Sequence, residues 1–110
     1  MKEKLYCYLR VSSKKQKEEG NSIEQQRHLG QKISKNLNME YVEMNEGGLS
    51  SMSKSRPKLE ELKEGMKIGR VKNIWYYSRS RWTRSEEEDL YIRMKFFRPF
   101  KINVFEGEGG

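Results

Sequence analysis

The chain has 110 residues, with 23 Lys and Arg against 16 Asp and Glu for a net charge of +7, room for one hydrophobic core and not for two. One cysteine (Cys7) excludes an internal disulfide, and one His (His28), one Cys and one Asp (Asp89), far apart, give no ligand set for a metal centre. No run approaches the ~18 apolar residues of a membrane span, and no signal-peptide cleavage pattern follows Met1. A reducing cytoplasm and a polyanionic partner are therefore expected. The basic excess is spread along the chain: residues 1–55 carry 10 basic and 7 acidic groups, and residues 56–110 carry 13 and 9.

In chain order, Lys4–Val11 reads as a strand, with Leu5, Cys7, Leu9 and Val11 on one face and Tyr6, Tyr8 and Arg10 on the other. Lys14–Gly20 is a polar loop. Ser22-Ile-Glu-Gln25 fits a capping box that opens a helix running to about Leu37, with Leu29 and Ile33 on its apolar stripe. Met39–Met44 is a second strand ended by Gly47-Gly48, and residues 46–55 form a hydroxyl-rich loop. Pro57 suits the first turn of a second helix striped by Leu59, Leu62 and Met66, which Gly69 closes. Val71–Tyr77 is the third and most apolar strand. A last helix is expected over Arg84–Phe97, stopped by Pro99, followed by a fourth strand at Lys101–Phe105. Met39, Met44, Met66 and Met94 read as gap-filling core residues, and Trp75, Tyr76 and Tyr77 as sheet packing. The order predicts an α/β domain with right-handed crossovers and a mostly parallel sheet.

Parallel sheets place ligands at the carboxyl ends of their strands. The first strand ends in Arg10-Val11-Ser12-Ser13, and period two sets Arg10 and Ser12 on one face, turning Ser13 away. A hydroxyl beside a guanidinium suits attack on a phosphodiester, because arginine holds phosphate oxygens with two parallel hydrogen bonds. The same pattern also fits a strand-end serine beside an ion-paired arginine. The second strand delivers Gly47-Gly-Leu-Ser-Ser51 and Arg56, and the third delivers Ser78–Arg84. A helix starting near Ser80 sets Arg81 and Arg84 on one face. Arg10, Arg56, Arg81 and Arg84 then converge around Ser12, an arrangement that repels itself unless an anion or carboxylates sit within it. The Glu86–Asp89 cluster offers those carboxylates to Arg81 and Arg84. Gln26, three residues before Leu29, is placed either for the site or for a buried backbone group.

Five segments, Tyr8-Leu-Arg-Val-Ser-Ser13, Ser22-Ile-Glu-Gln-Gln26, Glu46-Gly-Gly-Leu-Ser-Ser51, Arg56-Pro57 and Ser80-Arg-Trp-Thr-Arg84, resemble the serine recombinase catalytic domain of resolvases, invertases and large serine integrases. The family's patterns are Tyr-x-Arg-Val-Ser-Thr, Ser-x-x-x-Gln, Asp-x-Gly-x-Ser-Gly, Arg-Pro and Asp-Arg-Leu-x-Arg, and they occur here in that order. The resemblance implies a resolvase-like three-layer α/β fold with a mostly parallel four- to five-stranded sheet over residues 1–106. It implies Ser12 as the nucleophile that forms a 5′-phosphoserine link to DNA, and Arg10, Arg56, Arg81 and Arg84 as phosphate-holding groups. Gln26, Tyr8, Glu46 and Ser80 are the supporting positions. No metal or other cofactor is implied. DNA is the implied partner, with a homodimer or tetramer in the full-length protein and a bacterial, phage or mobile-element source.

Two departures stand out. Ser80 replaces the family's Asp and Trp82 its Leu, and losing that carboxylate is expected to loosen the arginine geometry by about 1–3 kcal/mol, with Glu46 the nearest substitute. Residues 107–110 read as a linker start or a cut end, with the family's long helix and DNA-binding region outside the chain. A non-catalytic nucleic-acid-binding or regulatory module is the competing reading. A small nucleotide-binding domain is disfavoured by the absence of Gly-x-x-x-x-Gly-Lys and Gly-x-Gly-x-x-Gly loops.

Overall fold

Period-two alternation along the first strand, β1 (Lys4–Ser12), divides its side chains between two cores. The computed structural model describes residues 2–12, 22–49, 56–83 and 85–108, with only the backbone of Ser12, Gly48 and Leu49. After β1 come α1 (Ile23–Asn36), β2 (Glu40–Leu49), α2 (Pro57–Lys67), β3 (Asn73–Tyr76), α3 (Arg79–Trp82) and α4 (Glu86–Ile92). A π turn (Arg93–Phe97) continues α4 and leads to β4 (Asn103–Glu106). Every strand pairing is parallel, in the order β2-β1-β3-β4. Leu5, Cys7, Leu9 and Trp75 pack with Ile33 of α1 on one face of the sheet. Tyr6, Tyr8, Ile74 and Tyr76 pack with α2, α3, α4 and the π turn on the other. This is the expected three-layer α/β domain, its sheet four-stranded. Among the described residues no helix is long and apolar enough to cross a membrane.

Topology fixes where a site can form. The chain steps from β1 to β2 in one direction, then over β1 to β3 and β4 in the other, so right-handed crossovers put α1 on one face and the later helices on the opposite one. The connections leaving β1 and β3 therefore diverge to opposite faces, and a crevice opens between the carboxyl ends of these two strands.

Capping and close packing hold the layers. Ser22 Oγ accepts from Gln25 N at 3.0 Å, the first half of the expected capping box. Gly30 lets α1 approach the sheet: a Cβ there would lie 3.1 Å from Tyr41 Cε1, 3.3 Å from Cys7 Sγ and 3.3 Å from Trp75 Cζ3. Arg27 then forks onto Glu43 of β2, Nε to Oε1 at 2.6 Å and Nη2 to Oε2 at 2.9 Å. Tyr41 and Asn45 also donate to that carboxylate. The Arg27 bonds in particular hold the Glu43 carboxyl down at about 2. Burial pushes the Cys7 thiol up to about 12, as befits a core residue.

Several boundaries differ from those expected. β2 does not end at Met44 but runs through Gly47-Gly48 to Leu49. Its register against β1 slips between Leu9 (opposite Asn45) and Arg10 (opposite Gly47), so Glu46 is the extra residue of a bulge. Gly47 has φ 74°, and its N–H is held by Asn45 Oδ1 at 2.8 Å; the glycine that reads as a stop makes the bulge possible instead. The helix expected over Arg84–Phe97 starts at Glu86, where Ser85 caps it by accepting from Glu88 N, and it ends in the π turn; a separate short helix, α3, precedes it and is closed by the extended Thr83 (φ −130°, ψ 162°). β3 is shorter than expected. β4 starts at Asn103, because Lys101 turns the chain at φ 54°.

The π turn winds wide enough to turn the consecutive Phe96 and Phe97 both inward. Met94 is 51 % exposed and not a core residue. Gly107, read as part of a linker, donates to Tyr76 O at 3.0 Å and accepts from Trp75 Nε1 at 2.9 Å. Ser13, the Lys14–Gly20 loop, residues 50–55 and Arg84 lie outside the described residues.

Candidate active site

The crevice beyond β1 and β3 is organised around α3. A helix of four residues cannot satisfy its own last carbonyls. Here the cap residue bonds the first carbonyl, and side chains from other elements bond the other three. Thr83 N reaches Arg79 O at 2.8 Å. Arg10 Nη2 reaches Ser80 O at 2.6 Å, and Arg10 Nε reaches Arg81 O at 3.3 Å. Arg56 Nη1 reaches Trp82 O at 3.1 Å. Two arginines from β1 and from the start of α2 thus close the carboxyl end of α3, where the helix dipole favours positive charge.

The backbone of Arg10 is fixed as tightly as its side chain. Pairing between β1 and β3 ends at Tyr8 opposite Tyr76. Just beyond, the fully buried Gln26 takes over: its Nε2 donates to Arg10 O at 2.9 Å, and its Oε1 accepts from Arg10 N at 3.2 Å. The buried backbone group that Gln26 holds belongs to Arg10.

Glu46, projected by the β2 bulge, points at the start of α2. Its Oε1 accepts from Lys58 N at 3.0 Å, and its Oε2 accepts from Leu59 N at 3.1 Å and from Tyr8 Oη at 2.8 Å. Pro57 has no N–H to satisfy, so this carboxylate caps the helix that begins directly after Arg56. Burial, reinforced by the Glu46 charge, pushes the Tyr8 hydroxyl well above its ordinary range and keeps it a neutral donor.

Arg56 is 7 % exposed and Arg81 6 %. The second Nη of Arg56 pairs with the Glu88 carboxylate of α4. Glu88 is the residue sequence reasoning missed as a partner of Arg56, and beside it Asp89 Oδ2 accepts from Arg93 Nε at 2.9 Å. No local pattern signals a pair 32 positions apart.

Trp82 anchors α3 in the core, edge-on to Tyr8 at 5.2 Å and stacked with Tyr76 at 5.2 Å and Phe97 at 5.8 Å. Its Nε1 is buried and has no hydrogen-bond partner among the described residues. Ser80 is exposed, with its hydroxyl 3.0 Å from that of Ser78. The structure therefore brings together Tyr8, Arg10, Gln26, Glu46, Arg56, Ser80 and Arg81. The backbone of Ser12 ends β1 beside them, opposite Leu49. Arg84 falls outside the described residues. The helix that carries Arg81 ends at the extended Thr83. Among the described residues no three His, Cys, Asp or Glu side chains cluster as metal ligands would.

The family model described as Resolvase, N terminal domain, matches residues 5–108. The chain belongs to this family. It is a serine recombinase catalytic domain, in agreement with the resemblance carried by the five sequence segments. Among solved structures the N-terminal catalytic domain of TP901-1 integrase shares the fold, with a TM-score of 0.78 at 22 % identity over 97 % of this chain and 78 % of that one. No curated protein matches the chain. Of the two departures from the family's patterns, Trp82 fills an aromatic pocket, while Ser80 meets Arg10 only through a backbone carbonyl that any residue supplies.

Proposed function

We propose that this domain cleaves and rejoins DNA strands at specific sites, with Ser12 as nucleophile and Arg10, Arg56, Arg81 and Arg84 holding the reacting phosphate. The observation that carries this reading is the convergence of Arg10 and Arg56 on the carbonyls of Ser80, Arg81 and Trp82, one strand-end away from Ser12. Guanidinium groups fixed in this way need no reorganisation as charge develops on phosphoryl oxygens.

In the proposed reaction Ser12 Oγ attacks phosphorus and loses its proton, the bond from phosphorus to the 3′ oxygen breaks, and the 3′ oxygen leaves as a hydroxyl. The 5′-phosphoserine link keeps the phosphodiester energy for rejoining. Attack by a 3′-hydroxyl on that link regenerates Ser12. Gln26, Tyr8 and Glu46 act as positioning residues, and Ser80 holds Arg10 through its carbonyl. The arginines serve where other phosphoryl-transfer sites use metal ions.

Covalent trapping tests this. The domain, alone and with its C-terminal continuation, is incubated with nicked or suicide DNA substrates, and any adduct is mapped by peptide mass. An adduct on Ser12 that Ser12→Ala abolishes is expected. DNA binding without adduct on a verified site would favour the non-catalytic module, for which Ser80 in place of the family's Asp is the supporting feature.

A further inference from the structure

At the end of the sheet opposite the crevice, where β1, β3 and β4 begin, lies a second concavity of about 500 Å³. The buried Met66 and Val71 form its floor. Ile68, 69 % exposed, and Phe100, 40 % exposed, stand on its rim, and neither belongs to either core. Three lysines, Lys67, Lys72 and Lys101, line the same concavity against one carboxylate, that of Glu3. Lys67 is engaged with Glu64 at 3.4 Å. Among the described residues Lys72 and Lys101 have no ion-pair partner.

Two left-handed turns fix this shape, and each exposed apolar residue directly precedes one of them. Gly69 (φ 81°) turns the chain ahead of β3, and Lys101 (φ 54°) turns it ahead of β4. Gly65 O accepts from Arg70 N at 2.8 Å and from Val71 N at 3.0 Å, while Phe97 O accepts from Ile102 N at 2.9 Å. Asn103 N donates to Lys72 O at 2.9 Å and ties the two turns together. Glycine relieves the first turn, whereas the second holds a lysine in a conformation that glycine or asparagine adopts more readily. The concavity is thus formed before any occupant arrives.

Its chemistry selects the occupant. A second copy of the chain brings the same positive surface and is repelled. A DNA backbone satisfies the lysines but presses phosphates against Ile68 and Phe100 and leaves the apolar floor unfilled. A bulky apolar side chain flanked by carboxylates matches both features at once. We propose that this concavity is a docking site for an acidic segment of a partner protein, with an apolar anchor seated over Met66 and Val71 and its carboxylates on Lys72 and Lys101. Because the crevice lies at the other end of the sheet, such a partner leaves the proposed DNA site open. The inference goes beyond the recombinase reading and holds whether or not Ser12 reacts.

The experiment is a display selection of random peptides of about a dozen residues against the 110-residue chain, with the K72E/K101E chain as counter-target. Selected peptides are then titrated by fluorescence anisotropy. Peptides with Asp and Glu flanking Leu, Phe or Trp are expected, with dissociation constants on the order of 10–100 µM that weaken as salt rises. K72E/K101E and Ile68→Ser are each expected to weaken binding about ten-fold or more. Lys101→Asn suits the left-handed turn and removes only the charge. It is expected to melt like the unaltered chain yet bind several-fold more weakly, which separates lost charge from lost structure. A selection that returns no acidic peptide dependent on Lys72 and Lys101 overturns the proposal, as does peptide binding indifferent to Ile68→Ser. A short DNA duplex is titrated in parallel. Duplex binding that K72E/K101E weakens as much as peptide binding, and that Ile68→Ser leaves unchanged, would assign the face to nucleic acid and overturn the proposal.

Discussion

Glu46 is the residue whose role changes most between sequence and structure, and it carries the sharpest test. Read as the nearest substitute for a missing catalytic carboxylate, it instead gives its oxygens to Lys58 N, Leu59 N and Tyr8 Oη. Glu46→Ala uncaps α2, at about 1–2 kcal/mol. It also strands the Tyr8 hydroxyl, which is fully buried, at about 1–3 kcal/mol. Part of that loss is returned because a desolvated carboxylate disappears, leaving a net destabilisation of about 3 kcal/mol. For a domain of this size the melting temperature is expected to fall by roughly 12–15 °C.

Tyr8→Phe alone keeps the helix cap and is expected to cost about 1 kcal/mol. The double variant is expected to be less destabilised than the sum, since with Tyr8 gone no hydroxyl is stranded. Urea unfolding of the four proteins measures this cycle. A Glu46→Ala cost below about 0.5 kcal/mol, or strict additivity, would refute the capping account.

Three further outcomes are expected. The Glu43 carboxyl, held at about 2 rather than 4.5, stabilises the fold fully above pH 4.5 and loses that contribution as pH falls toward 2. After allowing for the exposed Arg27 partner this amounts to about 1–2 kcal/mol, and Glu43→Gln should flatten the acid limb of a stability–pH curve. Trp82→Phe is expected to cost only about 1–2 kcal/mol against about 3–5 for Trp82→Ala, because it also removes a buried indole N–H that has no acceptor among the described residues; equal costs by thermal melts would contradict this. Ser80→Asp places a carboxylate on the exposed first turn of α3, so stability should change by only a few tenths of a kcal/mol. It should raise the yield of covalent adduct, and loss of the adduct would show a site built around serine.

What the sequence made legible was what local patterning controls. The split of β1 between two cores follows from strict alternation, and the starts of α1 and α2 follow from Ser22 and Pro57, residues suited to one place in a helix. The alternating order of elements was enough to place the crevice. The misplaced boundaries are those where a distant partner outweighs a local signal. Gly47-Gly48 reads as a stop, yet pairing with Arg10 and Val11 carries β2 through it. The separate short helix α3 has no local signature, because it depends on Trp82 sinking between Tyr8, Tyr76 and Phe97. The partners of Arg10 and Arg56 were illegible for a related reason, because most are backbone carbonyls and carry no signature of residue type.

The site and the core are therefore one structure. A four-residue helix has no independent stability, so α3 exists only because Trp82 is anchored below and two arginines bind its carbonyls above. The dependence runs both ways, since those carbonyls are what fix the guanidiniums of Arg10 and Arg56. Glu88 and Gln26 extend the same lock, one through the Arg56 side chain and the other through the Arg10 backbone. Charge that would repel in an open cluster is held in place by helix-end carbonyls and by a carboxylate drawn from another element. The guanidiniums of such a crevice are held by the protein itself, which is what the proposed reliance on arginine for charge stabilisation requires.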